Sequence, residues 1–528
     1  MNREVLVAPV CEKPPAIWSL ADAPGSVVGL LAFAWLAALA WVRPLMLPDE
    51  GRYVGVAWEM LRSGNWLVPT LDGLPFFHKP PLFYWITGVS LKLLGMHWWA
   101  ARLASLAGAT GALTGLFVFT RNWCGSRMAA LCAVVLATMP FFYSAAQFAN
   151  LDMLVAGCIT LTVLLGANAV LMASSGRPHS ASLIAAYGVA AIGVLVKGLI
   201  GVMLPALTLI AWLLATRRPA LLLRLVSVPG LLLFVLIGAP WFVLMQERFS
   251  GFLHYFFVYQ HFERFAKGGF NNQQPFWFYL VVLPLCALPW SLNLWRVSRG
   301  SDGGGHERGP QPGLDALMWS WLTIVVVFFS LPASKLAGYV LPALPPLAWL
   351  LARSLSAGKN AMSRHMGRVT TFAAVLCLSI VVAVALYGHQ DEKAVAQALR
   401  TERRPGEPVL AFNHYPYALP FDARLHDGLI VVDNWGDLGL SQRDDWRKEL
   451  YDAAAFDPAR ARKTLLTPGA AFAFVCEHER SWIVVRPGIR PPWAGGKLIA
   501  TSHRGELWQL ERHSLNCPGT PNVGSPDR

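Results

Sequence analysis

The feature that most limits this chain is a succession of apolar runs, at residues 27–44, 100–120, 128–148, 152–172, 182–196, 198–215, 222–245, 276–296, 314–331, 338–354 and 369–388. A bilayer core of about 30 Å is crossed by roughly 17–25 residues of helix. Backbone inside it must close its own hydrogen bonds. Repeated runs of this length therefore read as membrane-spanning helices. Charged residues make up only 14% of the chain, against about 25% in soluble domains. The chain reads as a mainly α polytopic membrane protein. Pro81–Gly95 is apolar too, but at about 15 residues it suits a re-entrant or interfacial helix. If it crosses, it needs a partner, so the expectation is about 11–13 transmembrane helices.

The connections sort the two faces. Arg121 with Arg127, then Arg177, Arg217 with Arg218 and Arg224, Arg296 with Arg299 and Arg308, and the group Arg353, Lys359, Arg364 and Arg368 fall in alternate loops. The positive-inside rule makes those loops cytoplasmic. They absorb much of the formal charge of +13, which leaves nucleic acid little role as a partner. Residues 1–26 read as a cytoplasmic N-terminal tail. Glu4, Glu12 and Asp22 speak against a cleavable signal there, and Val27–Val42 is long enough to stay as an anchor. Residues 27–388 form the membrane domain, with an outer loop at 45–99.

Composition changes after residue 389. "PVLAFN", "GLIVVDN", "AFAFVCEHERSWIVVR", "KLIATS" and "ELWQLER" are short β-prone runs between turn residues, and Asp391–Arg400 and Asp444–Ala455 carry helical patterns. Residues 389–516 read as an extracytoplasmic α/β domain, and 517–528, rich in Pro, Gly, Ser and Asn, as a disordered tail. The eight cysteines form no CxxC or Cys/His cluster. Cys476 and Cys517 fall on the outer, oxidising side, where a disulfide can form, although nothing in the sequence places them together.

Polar residues gather at the outer ends of the spans. "LPDEGRY" places Asp49, Glu50 and Arg52 just after the first run. Asp49 and Arg52 share a helix face at i,i+3. "FFHKPP" sets His78 and Lys79 among aromatics, Asp152 opens a run, and Lys197 interrupts one. An ionisable side chain at such a place is costly and marks a functional hypothesis. "QHFERF" brings His261 and Arg264, and "SKLAGY" brings Lys335 and Tyr339. Each has an ordinary account: Asp49 and Asp152 as helix caps, Lys79 as a snorkelling lysine. Their common face favours a site for a lipid phosphate. Lys and Arg can neutralise a phosphodiester leaving group, and a carboxylate can deprotonate an acceptor hydroxyl.

"LPDEGRYVGVAWEMLRSGNWLVPTLDGLPFFHKPPLFYW" resembles the amino-terminal signature of the polyprenyl-phosphate-dependent glycosyltransferases of the C-type fold. It is most similar to the bacterial lipid A aminoarabinose transferases, relatives of protein O-mannosyltransferases. "NLD" at Asp152, "LVKG" at Lys197, "HFERF" and "SKLAGYVLPALPPLA" extend the resemblance over residues 27–350. It implies an inverting transfer of a sugar from an undecaprenyl-phosphate-linked donor to a lipid A-like acceptor, at the periplasmic face of a bacterial inner membrane. Asp49 takes the place of the catalytic carboxylate. Arg52, Lys79, Arg264 and Tyr339 would hold the donor phosphate. Asp152 and Lys197 would line the cavity, joined by Glu50 and Lys335 from the residue reading.

Two positions depart from the pattern. His78 stands where aminoarabinose transferases commonly carry Glu, and Gln260-His261 replaces a Glu-His pair. The first position is linked to zinc in relatives, so His78 and His261 remain the candidate ligands of a divalent metal, and no other cofactor is implied. The sugar and the acceptor stay open: lipid, or the hydroxyl of a protein. The expected working unit is a monomer. A transporter or flippase of an anionic lipid would place its charges near the midplane with repeat symmetry. A scaffold presenting the outer domain leaves Asp152 and Lys197 unexplained.

Overall fold

A computed structural model describes residues 22–263, 272–293, 313–356, 362–388, 392–437, 439–440 and 443–517, with the backbone alone described at 261–263 and 362–365. The membrane part is built from α1 (Gly25–Ala37), α2 (Asp49–Ser63), the hairpin β1 (Thr70–Leu71) and β2 (Leu74–Pro75), α3 (Leu82–Leu94), α4 (Trp98–Ala101), α5 (Leu103–Cys124), α6 (Ser126–Ala137), α7 (Pro140–Ala146), α8 (Leu151–Ser174), α9 (Ser180–Lys197), α10 (Ile200–Ala215), α11 (Val228–Arg248), α12 (Phe278–Cys286), α13 (Leu314–Ser330), α14 (Leu344–Ser356) and α15 (Met362–Tyr387). Each apolar run contains helix among the described residues. Among the described residues α5, α8, α9, α11 and α15 are long and apolar enough to cross a membrane, and α6 and α7 form one bent pair, at 70°. Four helices are apolar but shorter: α1, α3, α10 and α13.

Some runs are less regular than their hydropathy predicts. The 27–44 run is helical only to Ala37, and its end turns to bring Arg43 beside Glu50. The 338–354 run opens with a 3₁₀ turn over Ala337–Ala343 that contains Pro342, because proline removes a helix donor. Where helices meet closely, glycine permits it. A Cβ on Gly157 of α8 would stand 2.3 Å from the Gly108 carbonyl oxygen of α5, the small-residue contact by which membrane helices approach.

The C-terminal domain comprises α16 (Lys393–Glu402), β3 (Val409–Phe412), α17 (Leu419–Asp422), β4 (Ile430–Val432), α18 (Trp446–Ala454), α19 (Pro458–Thr464), β5 (Leu465–Leu466), α20 (Pro468–Cys476), β6 (Arg480–Val485), β7 (Lys497–Thr501) and β8 (Glu506–Glu511). Its sheet runs β5-β4-β3-β6-β8-β7, with β5, β4, β3 and β6 parallel and β8 and β7 antiparallel. Alternate residues of a strand face opposite ways. Leu410, Val432 and Ile483 pack in the domain's own core, while Ala411, Val431 and Val484 join the core continuous with α2. The sheet is therefore seated on the outer loop of the membrane part.

Two expectations need correction. "AFAFVC" is helix, not strand: Thr467 caps it, accepting from Ala470 N–H, and Pro468 occupies its first turn, both strong start signals. Cys517 belongs to the domain, not to a tail, because it is disulfide-bonded to Cys476. The remainder of that tail lies outside the described residues.

Glu59 fixes the outer hairpin. Its carboxylate accepts from the backbone N–H of Asp72 (2.6 Å) and Gly73 (2.8 Å) and from the Thr70 hydroxyl (2.7 Å). Asp72 in turn accepts from Leu429 N–H of the C-terminal domain at 2.7 Å.

Candidate functional site

The acids that open α2 point in different directions, since neighbours on a helix stand about 100° apart. Glu50 turns inward and is fully buried. It accepts from Arg102 Nε (2.9 Å), from Arg43, and from the backbone N–H groups of Met46 (2.8 Å) and Ala149 (2.7 Å). Burial would raise its pKa, but Arg102 and Arg43 hold it down at about 2. Glu50 thus ties α2 to α5 and to the turn before α8, and does not line a cavity.

Asp49 turns outward and is 43% exposed, with Arg52 Nη2 at 3.5 Å. Partial burial pushes its carboxyl above the usual range, against the pull of Arg52; the charges of Asp152 (raising) and Lys197 (lowering) also reach it. Arg52 then meets the C-terminal domain. Its Nη1 lies 3.0 Å from Glu449 Oε1 on α18. Tyr417 donates to the other Glu449 oxygen at 2.6 Å and lays its ring 5.2 Å from the guanidinium carbon.

Asp152 and Lys197 come from the facing ends of α8 and α9. Asn150 caps α8, accepting from Asp152 N–H at 3.0 Å. The Asp152 carboxylate pairs directly with Lys197, whose ammonium also lies 4.8 Å from the Tyr339 ring centroid. Lys197 ends its helix, where the dipole favours a cation. The Ala337–Ala343 turn can fold over this pair because residue 338 is glycine: a Cβ there would meet Asp152 Oδ2 at 2.6 Å.

An aromatic cluster follows the β1–β2 hairpin. His78 stacks on Phe76 at 4.4 Å and lies 6.2 Å from Tyr255. Phe77 packs 4.9 Å from both Phe252 and Phe456, and Lys79 is half-buried. Tyr255 contacts Asp452 of α18 at 3.4 Å, and Lys448 pairs with the same carboxylate at 2.9 Å.

The structure thus gathers Asp49, Arg52, Asp152, Lys197 and Tyr339. It turns Lys335 elsewhere: that ammonium donates to the backbone carbonyls of Gln274 (2.9 Å) and Pro332. Arg264 and the His261 side chain lie outside the described residues. No three His, Cys, Asp or Glu side chains among the described residues converge as a metal cage, so His78 has no described ligand set to complete. Glu449 and Tyr417 were missed by sequence reasoning. The predicted helix carried a capped, charged face, but nothing linear ties it to Arg52.

A carboxyl with raised proton affinity beside two cations can accept a hydroxyl proton while a phosphate is held nearby. Residues 78–243 match the family described as dolichyl-phosphate-mannose-protein mannosyltransferase. The undecaprenyl phosphate-alpha-4-amino-4-deoxy-L-arabinose arabinosyl transferase of Aeromonas salmonicida is 32% identical over 375 residues, 68% of this chain and 66% of that protein. The protein of the same description from Erwinia tasmaniensis is 31% identical over 369 residues, with the same coverage. The chain therefore spans 66% of the length of these curated relatives. In fold it is similar to ArnT from Cupriavidus metallidurans bound to undecaprenyl phosphate (TM-score 0.76, 23% identity, 92% of this chain and 97% of that one). It is also similar to the archaeal oligosaccharyltransferase AglB from Archaeoglobus fulgidus in complex with an inhibitory peptide and a dolichol-phosphate (TM-score 0.52, 13% identity, 87% and 69%).

Proposed function

We propose that this chain is a C-type membrane glycosyltransferase that moves a sugar, with inversion, from an undecaprenyl-phosphate-linked donor to a lipid A-like acceptor. The reaction takes place at the periplasmic face of the inner membrane. Asp49 accepts the proton of the acceptor hydroxyl. That oxygen forms its bond to the anomeric carbon as the bond from that carbon to the phosphate oxygen breaks. The electron pair leaves with undecaprenyl phosphate, whose charge Arg52, Lys79, Arg264 and Tyr339 neutralise or bind. Asp152 pairs with Lys197 at the same site.

The observation that carries this reading is the placement of Asp49 between Arg52 and the Asp152–Lys197 pair, at the ends of spans. The Cys476–Cys517 disulfide supports an oxidising location for the C-terminal domain. The arabinosyl transferase relatives support an undecaprenyl-phosphate-linked donor, the amino-terminal motifs resembling lipid A aminoarabinose transferases favour a lipid acceptor, and the matched mannosyltransferase family keeps a protein hydroxyl as the second reading. Mass spectrometry of envelope lipids and glycoproteins, with and without the gene, separates them. A sugar-bearing lipid that vanishes with the gene and returns with wild type but not with Asp49→Asn supports the proposal. A glycoprotein that behaves so instead replaces it, and no change in either sinks it.

A further inference from the structure

A recess of about 400 Å³ opens where the C-terminal domain meets the ends of two membrane helices. Its walls are Trp41, just beyond α1, Trp98 and Trp99, just before α5, and Arg400, Phe421 and Arg424 from the domain. Trp41 is 66% exposed and Trp99 37%. Next to them α3 ends in the exposed Leu93 and Leu94. An apolar shoulder followed by tryptophans is the pattern of residues at headgroup depth.

The polar side of the recess is cationic. Asp422 is committed to the seam, accepting from Trp98 Nε1 at 3.0 Å. Lys393 covers the Trp98 ring at 4.9 Å, while Arg400 and Arg424 are exposed and form no ion pair among the described residues. Arg424 sits at φ +54°, a left-handed conformation that costs a non-glycine residue about 1–2 kcal/mol. Arg424 lines the groove from this turn.

We propose that this recess binds the headgroup of an anionic glycerophospholipid of the outer leaflet, and so anchors the C-terminal domain against the membrane. The phosphodiester meets Arg400 and Arg424, whose planar forks match its oxygens. The glycerol lies over the indole faces of Trp41 and Trp99, and the acyl chains descend past Leu93 and Leu94. The surplus of cations selects a net-negative headgroup over a zwitterionic one.

The test uses the full-length protein, delipidated in neutral detergent and titrated with dihexanoyl-phosphatidylglycerol, dihexanoyl-phosphatidylcholine or inorganic phosphate, with bound species counted by native mass spectrometry. Phosphatidylglycerol should bind at one site, at least about tenfold tighter than the other two ligands. The double variant Arg400→Gln/Arg424→Gln should weaken it roughly 30-fold, from about 1 kcal/mol per basic residue near a lipid surface, at unchanged melting temperature. The conservative double variant Arg400→Lys/Arg424→Lys should retain the preference for phosphatidylglycerol. Equal affinity for phosphatidylcholine, equal affinity for phosphate alone, or full binding by the glutamine variant each overturns the proposal.

Discussion

Arg52 of α2 lies 3.0 Å from Glu449 of the C-terminal domain, so a residue that follows the first apolar run is completed by one from the last quarter of the chain. The Tyr417 ring stacks beside the pair and its hydroxyl donates to the same carboxylate. The C-terminal domain therefore contributes to the surroundings of the candidate site.

This contact predicts energetic coupling across the domain seam. Glu449→Gln should lower sugar transfer by about tenfold, which corresponds to about 1.4 kcal/mol, and Arg52→Gln by more. The double variant should be no worse than Arg52→Gln alone, since residues in one ion pair do not act additively. Transfer rates of the four forms close the cycle, and simple addition of the two losses would show that the pair is incidental.

Asp49→Asn should reduce turnover by about 10²–10⁴, the range of a removed general base, and leave melting almost unchanged because Asp49 is partly exposed. Burial raises the Asp49 pKa above its ordinary 3.8. Turnover should thus fall as pH drops through that raised value, with the acidic limb displaced upward. A pH–rate profile whose acidic limb survives in Asp49→Asn would assign the titration to another group.

Glu50→Gln should instead be a folding defect. Removing one member of a buried ion pair costs about 3–5 kcal/mol, and Glu50 serves Arg43 and Arg102 together. Low yield and a depressed melting temperature are expected. A stable but inactive Glu50→Gln protein would move Glu50 into the chemistry.

Asp72 makes the seam sensitive to pH. Burial, reinforced by the charge of Glu59, raises its pKa to about 8. The folded chain then keeps a proton that the unfolded chain loses above about 4. Stability should consequently decline as pH rises from about 4 to about 8. Asp72→Asn keeps a carbonyl oxygen for Leu429 N–H and should flatten that slope in thermal melts taken across the range.

Much of this fold was legible because hydropathy and length are enforced along the chain: each apolar run contains helix among the described residues. The failures lie where one residue has two physical uses. Asp49 and Glu50 are adjacent acids in one motif, and only the helix phase separates the exposed carboxylate from the buried tie. Lys335 resembles the other outer cations but satisfies loop carbonyls. "AFAFVC" is β-prone in composition, yet Thr467-Pro468 starts a helix there. Glu449 was invisible for a different reason, since its partner lies across a tertiary contact with no local trace.

The sheet order has a bearing on how the protein is made. β6 is hydrogen-bonded between β3 and β8, so the sheet of the domain that carries Glu449 cannot close until residue 511 has been synthesised. The membrane helices are synthesised well before that point. A truncated chain that ends before Glu449 leaves Arg52 with Asp49 alone as its counter-charge. The Arg52–Glu449 pair therefore forms last, which ties the full charge balance around Arg52 to completion of the chain's own synthesis.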